Sequence, residues 1–290
     1  MTNNDISDAR FQEAVQAIDS GDISGLRHIL ERDPSLVVKR LERPADGYFA
    51  RPYLLWFVAD NPIRHEKLPA NIVAIAEMII EAMQKGGDEH YQFILDYTLG
   101  LVCTGRIPKE CKVQIPLMEL LVKQGAAVRG SVLGPIGQRN FEAANWLLGK
   151  GADYNLATAV GLGDVENAKR LVPHSTPSER YVALVVAAFF GRADVVALLI
   201  DAGLDVNGGG TSADFNGFHS HASALHQAVY SGSLDSVKRL VEAGASLTAT
   251  DKAYQGTPLD WARHMQTEAG IDEGERKNYA VIESYLREPA

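Results

Sequence analysis

The sequence predicts an all-α protein, an α-solenoid of stacked helix-turn-helix units. Three observations predict this fold class: the chain repeats itself, its apolar residues recur with helical spacing, and glycines stand where helices would end. Self-similarity comes first, because a fixed internal repeat indicates a repeat architecture. Residues 224–251 align with residues 183–207, and Gly232 falls on Gly191 in that alignment. Each segment therefore reads as a helix, a glycine turn, a second helix and a glycine stop.

Helical spacing and terminal glycines support the same interpretation. Val237, Leu240 and Val241 occupy positions i, i+3 and i+4, which places them on one face of a helix. Gly203 and Gly244 each follow a predicted second helix, where a residue in the left-handed conformation satisfies the last carbonyl groups. Because one helix pair cannot cover its own apolar face, the units must stack on one another.

The same plan recurs in three further segments, residues 11–30, 141–155 and 156–172. Between residues 52 and 128 it is degenerate, because apolar stretches suited to first and second helices are separated by longer connections. We predict roughly seven or eight units in all.

Several segments of the chain resemble a known repeat family. The segment "SALHQA" at 223–228, followed by "VKRLVEAGA" and "GTPLDWA", resembles the ankyrin repeat, whose hallmark is T-P-L-H-x-A. The closing signature of that repeat, G-A-D-x-N, is matched by "GADYN" at 151–155 and "GLDVN" at 203–207. The resemblance implies an ankyrin-repeat fold with protein–protein recognition as its usual activity. It also implies that His226 bridges backbone groups of neighbouring repeats.

We therefore predict one ankyrin-repeat domain over residues 1–290. Its predicted parts are a divergent N-terminal repeat (11–51), degenerate repeats with long insertions (52–128), recognisable repeats (129–263) and a C-terminal capping helix (264–290).

Composition limits the classes of partner. The chain has 28 Lys+Arg against 37 Asp+Glu, a formal charge of −9, which would repel a phosphate backbone. The first residues lack the pattern of a secretory signal, and no apolar stretch approaches the roughly 20 residues needed to span a bilayer. We expect a cytoplasmic protein that binds neither nucleic acid nor membrane. A monomer is expected, with a homo-oligomer as the alternative.

Three histidines lie close together in "GFHSHASALHQA" at 217–228. His226 is assigned to the repeat framework, whereas His219 and His221 close an unusually long finger loop, residues 207–223. Long loops in compact repeats are either functional or disordered, and we expect a ligand-recognition loop that includes Asp214 and Phe215. Residues i and i+2 of an extended strand point to opposite faces, which argues against a chelating pair unless the loop turns. No metal site and no cofactor are predicted.

An aromatic stripe is the second candidate. The resemblance implies that the residues before each turn glycine, Phe189, Phe190 and Tyr230, face a concave groove that Trp261 extends. Exposed aromatic residues suit the anchoring of a partner. The alternative is that Phe189 or Phe190 packs beneath the long loop.

The predicted function is a non-catalytic scaffold that binds another protein through its concave groove and finger loops. No catalytic residue is predicted. The alternative is an enzyme or small-molecule binder whose pocket is built from the irregular 52–128 region or the 207–223 loop. The bulky run "YLLWF" at 53–57, where regular units carry small residues, supports this alternative.

Overall fold

The structure is a computed structural model that describes residues 6, 8–41, 51–87, 89–128, 132–208 and 217–288. Within these ranges the chain forms α-helices and short 3-10 helices, and its one β pairing is an isolated bridge between Arg40 and Tyr53. The prediction of an all-α repeat fold is confirmed. Asp214 and Phe215 lie outside the described residues.

The α-helices of the described residues are, in chain order, α1 (Ala9–Ser20), α2 (Ile23–Arg32), α3 (Ile72–Gly86), α4 (Tyr91–Thr104), α5 (Arg106–Glu110), α6 (Gln114–Lys123), α7 (Leu133–Gly137), α8 (Phe141–Gly149), α9 (Leu156–Leu162), α10 (Val165–Leu171), α11 (Pro177–Phe189), α12 (Ala193–Asp201), α13 (Ala224–Tyr230), α14 (Leu234–Glu242), α15 (Pro258–Met265) and α16 (Glu273–Arg287). Three 3-10 helices accompany them: Pro34–Val37, Leu54–Ala59 and Val172–His174. In the described part of the chain, no helix combines the length and apolar character required to cross a membrane.

The chain forms two compact units. Unit 1 comprises residues 1–131 and 142–152, and unit 2 comprises residues 132–141 and 153–290. The prediction of a single domain over residues 1–290 stays a prediction.

Unit 2 is built from two rows of helices. The first helices of successive repeats, α9, α11, α13 and α15, pack side by side in chain order. The second helices, α10, α12, α14 and α16, form the other row, and each packs against the first helix of its own repeat. Such stacking covers the apolar face that a single helix pair would expose.

The ends of the helices in unit 2 follow the turn chemistry of the sequence. Gly203 and Gly244, after α12 and α14, have φ angles of 77° and 86°. The Ala245 N–H then reaches back 2.9 Å to the carbonyl oxygen of Leu240, which satisfies a carbonyl group of the last turn. The left-handed conformation predicted for both glycines is confirmed.

The bulky run at 53–57 forms core in unit 1. All five of its side chains are buried, and Phe57 meets Phe11 of α1 edge to face with ring centroids 5.7 Å apart. The segment forms a six-residue 3-10 helix, Leu54–Ala59, instead of the α-helix that a regular first helix would supply. Large side chains at these positions are therefore explained by core formation.

Candidate functional site

Residues 217–223, here called the finger stem, lead into α13 and carry His219 and His221. The stem begins against α7. A Cβ atom at position 137 would lie 2.1 Å from the Gly217 carbonyl oxygen, so the approach of the two backbones is possible only with glycine at 137. The start of the finger stem is thus placed by a close backbone contact.

Two hydrogen bonds hold the rest of the stem. Gln227 of α13 donates from Nε2 to the His219 carbonyl oxygen at 2.9 Å. Lys252, which precedes α15, donates its backbone N–H to the His221 carbonyl oxygen at 2.8 Å. The stem is therefore attached both to its own repeat and to the next one.

Asp251 is the centre of hydrogen bonding in this region. Its buried carboxylate accepts the backbone N–H groups of Ala253 (2.9 Å), Tyr254 (2.7 Å) and Gly256 (3.0 Å) and the indole N–H of Trp261 (3.0 Å). Burial alone would raise the pKa of Asp251, but these hydrogen bonds outweigh burial and hold the pKa well below its usual range. A buried negative charge is therefore present at neutral pH.

His221 is oriented by this charge. Its Nδ1 lies 3.1 Å from Oδ1 of Asp251. Because an ionised carboxylate only accepts hydrogen bonds, the network places the hydrogen on Nδ1 of His221. The ring also meets Tyr254 edge to face, at a centroid distance of 5.6 Å.

The three histidines gather around one indole ring. The centroids of His219, His221 and His226 lie 5.5, 5.8 and 5.1 Å from that of Trp261. The rings of His219 and His221 are only 5.8 Å apart, because the loop turns between them, which is the exception stated for residues i and i+2. The stem is not extended there: the Ala222 N–H turns back to the His219 carbonyl oxygen at 3.0 Å.

His226 is fully buried at the start of α13. Its Nε2 lies 3.0 Å from the Gly256 carbonyl oxygen in the next repeat, and its Nδ1 lies 2.7 Å from Oγ of Ser223. Burial lowers the pKa of His226, although the bond to Gly256 acts in the opposite direction. This geometry is the one that the resemblance to ankyrin repeats implies.

Phe189 differs from its predicted role as an exposed groove residue. Its side chain is only 6% exposed, because Phe218 of the finger stem covers it edge to face at 5.0 Å and Tyr230 stacks on it at 5.5 Å. The alternative of packing beneath the loop therefore describes Phe189. It supports Tyr230 from below and offers no surface of its own.

Phe190 remains half-buried at the end of α11. The guanidinium carbons of Arg139 and Arg192 each lie 5.2 Å from its ring centroid. This distance is within the range of a cation–π contact, so Phe190 stands between two arginines instead of presenting a bare apolar face.

A cavity of about 660 Å³ opens beside these rings. Much of its wall is formed by aromatic or imidazole rings, namely His219, His221, Tyr230, Tyr254 and Trp261, and Met265 and Ile271 add apolar side chains. Asp260, His264 and Glu268 add polar groups. We call this cavity the Trp261 pocket. It unites four of the predicted binding residues, whereas Phe189 and Phe190 are not in its lining.

Several contributors to the pocket were missed in the sequence: Asp260 and Glu268 of the lining, and also Asp251 and Tyr254. Asp251 stands in the connection between α14 and α15, and its one signal is an acidic residue shortly before the "GTP" that starts a helix. Tyr254 is an isolated tyrosine in the same connection, and it is 79% exposed. Neither residue belongs to a periodic pattern, so periodicity could not reveal them.

Imidazole groups invite a test for metal binding. In the described ranges, no group of three or more His, Cys, Asp or Glu side chains is arranged to hold a metal ion. Asp251 already accepts several N–H groups, and His226 already has partners on both ring nitrogens. Nε2 of His219 is buried without a hydrogen-bond partner. Burial, and to a lesser extent the neighbouring His221, lower the pKa of His219, which favours its neutral form.

Comparison with known proteins agrees with the repeat pattern. Residues 135–251 match the family model of ankyrin repeats, in three copies. Solved structures of 125 chains match, among them the crystal structure of the human ASB11 ankyrin repeat domain. That likeness covers 72% of this chain and 94% of the other, at 18% identity and a TM-score of 0.33. No curated protein matches the chain.

Proposed function

Because residues 135–251 of this chain are ankyrin repeats, we propose that the protein is a non-catalytic scaffold that binds a partner protein at the Trp261 pocket and the adjoining finger loop. Ankyrin repeats are in general protein–protein interaction modules, but the repeat alone does not choose the binding surface.

The Trp261 pocket is the observation that carries this proposal. It is an open cavity of about 660 Å³ whose lining includes six aromatic or imidazole rings. Tyrosine and tryptophan bring a large contact area together with a polar group, and they are enriched among the residues that dominate binding energy. Tyr254 leaves 79% of its surface exposed, an arrangement that suits a binding rim.

The lining favours binding over nucleophilic catalysis. His221 is oriented by Asp251 as a catalytic base would be. Among the described residues that line the pocket, however, there is no serine, threonine, cysteine or lysine for such a base to activate. The imidazole rings therefore serve as walls and hydrogen-bonding groups in this proposal.

The test compares three forms of the full chain as bait: the parent, Tyr254→Ala and Tyr154→Ala. Tyr154 is a matched control, because it is also a partly exposed tyrosine of unit 2 but does not line the pocket. A protein captured by the parent and by Tyr154→Ala, and then purified, is expected to bind Tyr254→Ala more weakly by at least about 1 kcal/mol in calorimetry.

Equal affinity of the Tyr254→Ala variant for every purified partner would contradict a binding site at this pocket. Retention of a small molecule instead of a protein, detected by native mass spectrometry of the parent but not of Tyr254→Ala, would favour the alternative of a small-molecule binder.

A further inference from the structure

We propose that the Trp261 pocket receives a positively charged side chain, an arginine of the partner protein. This inference rests on the proposed function and names the chemical group that the same site recognises. It is carried by the combination of aromatic walls, carboxylates at the pocket and a buried anion behind the tryptophan.

The aromatic walls are the first step. Trp261, Tyr230 and Tyr254 line one cavity, and each presents a ring of the kind that attracts cations through its negative face. Tryptophan is the strongest of these rings, and arginine is the cation most often found on them. A planar guanidinium can also stack on such a ring, which a compact ammonium group cannot do.

Charge is the second step. Asp260 and Glu268 both line the pocket, and about half of each side chain is exposed. Hydrogen bonding from Thr257 lowers the pKa of Asp260, so this carboxylate is ionised at neutral pH. Two carboxylates beside aromatic rings complement a cation and repel an anion.

The surroundings supply the third step. Asp251 adds a permanent negative charge whose carboxylate is bonded directly to the indole N–H of Trp261. Two side chains already contact these carboxylates: Arg263 lies 3.5 Å from Asp260, and Nε2 of His264 lies 3.0 Å from Glu268. Both pairs lie on the exposed surface, where solvent and salt weaken them, so a guest cation can replace them.

Other occupants fit less well. An anion would face the carboxylates of Asp260 and Glu268. A metal ion would find two imidazoles, His219 and His221, but the described residues offer no third ligand arranged with them. These occupants become outcomes of the test.

The experiment titrates the full chain with a matched pair of short peptides, acetyl-Gly-Gly-Arg-Gly-Gly-amide and the same peptide with citrulline for arginine. Citrulline keeps the shape of arginine and removes its charge. Binding is followed by calorimetry and by the indole N–H resonance of Trp261. We expect the arginine peptide to bind with a dissociation constant of about 1 mM, and the citrulline peptide at least about tenfold more weakly.

Variants then locate the site. Tyr254→Ala should weaken binding of the arginine peptide at least about fivefold, and Glu268→Gln should weaken it about two- to threefold. The matched controls Tyr154→Ala and Glu166→Gln should leave it unchanged, since Glu166 also forms an exposed pair, with Lys169, but lies outside the pocket lining. Raising the salt concentration should weaken binding of the arginine peptide to the parent more than its binding to Glu268→Gln.

Equal binding of the arginine and citrulline peptides would overturn the inference. An unperturbed Trp261 resonance would also overturn it, as would stoichiometric binding of Zn²⁺ that His219→Ala abolishes. If the arginine peptide does not bind but a protein partner binds in a way that depends on Tyr254, only the arginine assignment is refuted. Peptide binding without any Tyr254-dependent protein partner would instead remove the proposed function.

Discussion

Asp251 and His226 are buried polar side chains that the fold tolerates because each has its hydrogen-bond partners. Asp251 accepts three backbone N–H groups and the indole of Trp261, and His226 connects α13 with the Gly256 carbonyl group of the next repeat. An unsatisfied buried group costs far more than a satisfied one contributes, so removing one partner penalises the others. Asp251 also contacts His221 of the preceding repeat. Both residues therefore connect neighbouring repeats by directional hydrogen bonds, which apolar contacts do not provide.

His226→Ala should lower the free energy of unfolding by about 1–3 kcal/mol, because the Gly256 carbonyl group and Ser223 each lose a hydrogen bond at a buried site. Urea denaturation measures the change. His264→Ala is the control, since His264 is exposed, and it should change stability by less than about 0.5 kcal/mol. Equal stability of His226→Ala and the parent would refute the bridging role.

Stability should also fall as the pH is lowered through about 6.5. Burial lowers the pKa of both His219 and His226 in the folded state, whereas the unfolded chain takes up protons near the ordinary value. Between the two pKa values the unfolded state binds more protons, so the free energy of unfolding decreases with decreasing pH. Asp251 does not contribute in this window, because its unfolded pKa lies near 4 and its folded pKa lies lower still. Urea midpoints that do not change between pH 7.5 and 5.5 would contradict this assignment.

At the scale of helices, the sequence predicts second helices best. The i, i+3, i+4 spacing of Val237, Leu240 and Val241 lies within α14, and Gly244 closes that helix with a positive φ angle as expected. These features depend on neighbours in sequence. The 3-10 helix Leu54–Ala59 depends instead on residues distant in sequence, because all of its side chains are buried and it packs against α1, α3 and α4.

The candidate site shows the same division between local and distant causes. His219, His221, Tyr230 and Trp261 were predicted from loop length and from their place in the repeat. Their arrangement around one indole was not, because it also depends on contacts between the finger stem and the next repeat, such as the bond from Lys252, 31 positions beyond His221. Extended geometry would separate a histidine pair at i and i+2, and the turn that the Ala222 N–H closes onto the His219 carbonyl group brings the two rings together instead.

Replacing glycines with alanine should have opposite effects at different positions. Gly203→Ala and Gly244→Ala should each cost about 1 kcal/mol, because the left-handed conformation at these helix ends penalises a Cβ atom. Gly100→Ala, inside α4 with open space around the added atom, should stabilise by about 0.5–1 kcal/mol. Thermal denaturation of the three variants checks the signs. A stabilising Gly203→Ala would be incompatible with a left-handed helix end.

On the scale of the whole chain, the question is whether the two compact units unfold together in one cooperative transition. The two compact units each have their own buried core, and repeat stacking makes stability approximately a sum of neighbouring contributions. The sequence nevertheless predicts one domain over residues 1–290.

Calorimetry tests that prediction. A single domain should unfold in one transition with an enthalpy of about 200 kcal/mol, from about 0.7 kcal/mol per residue, and with equal calorimetric and van't Hoff enthalpies. Two resolved transitions, with Phe57→Ala shifting only the one that belongs to unit 1, would instead assign a separate domain to each unit.

The hydrogen bonds to Asp251 have a consequence for protein engineering. Repeat proteins are usually treated as sets of interchangeable modules, but here a histidine from one module and a tryptophan from the next meet on the same carboxylate. A transplanted finger stem without Asp251 and Trp261 would carry imidazole rings that nothing orients. The smallest portable form of this binding surface is therefore residues 217–271, a piece that cuts across the conventional module boundary.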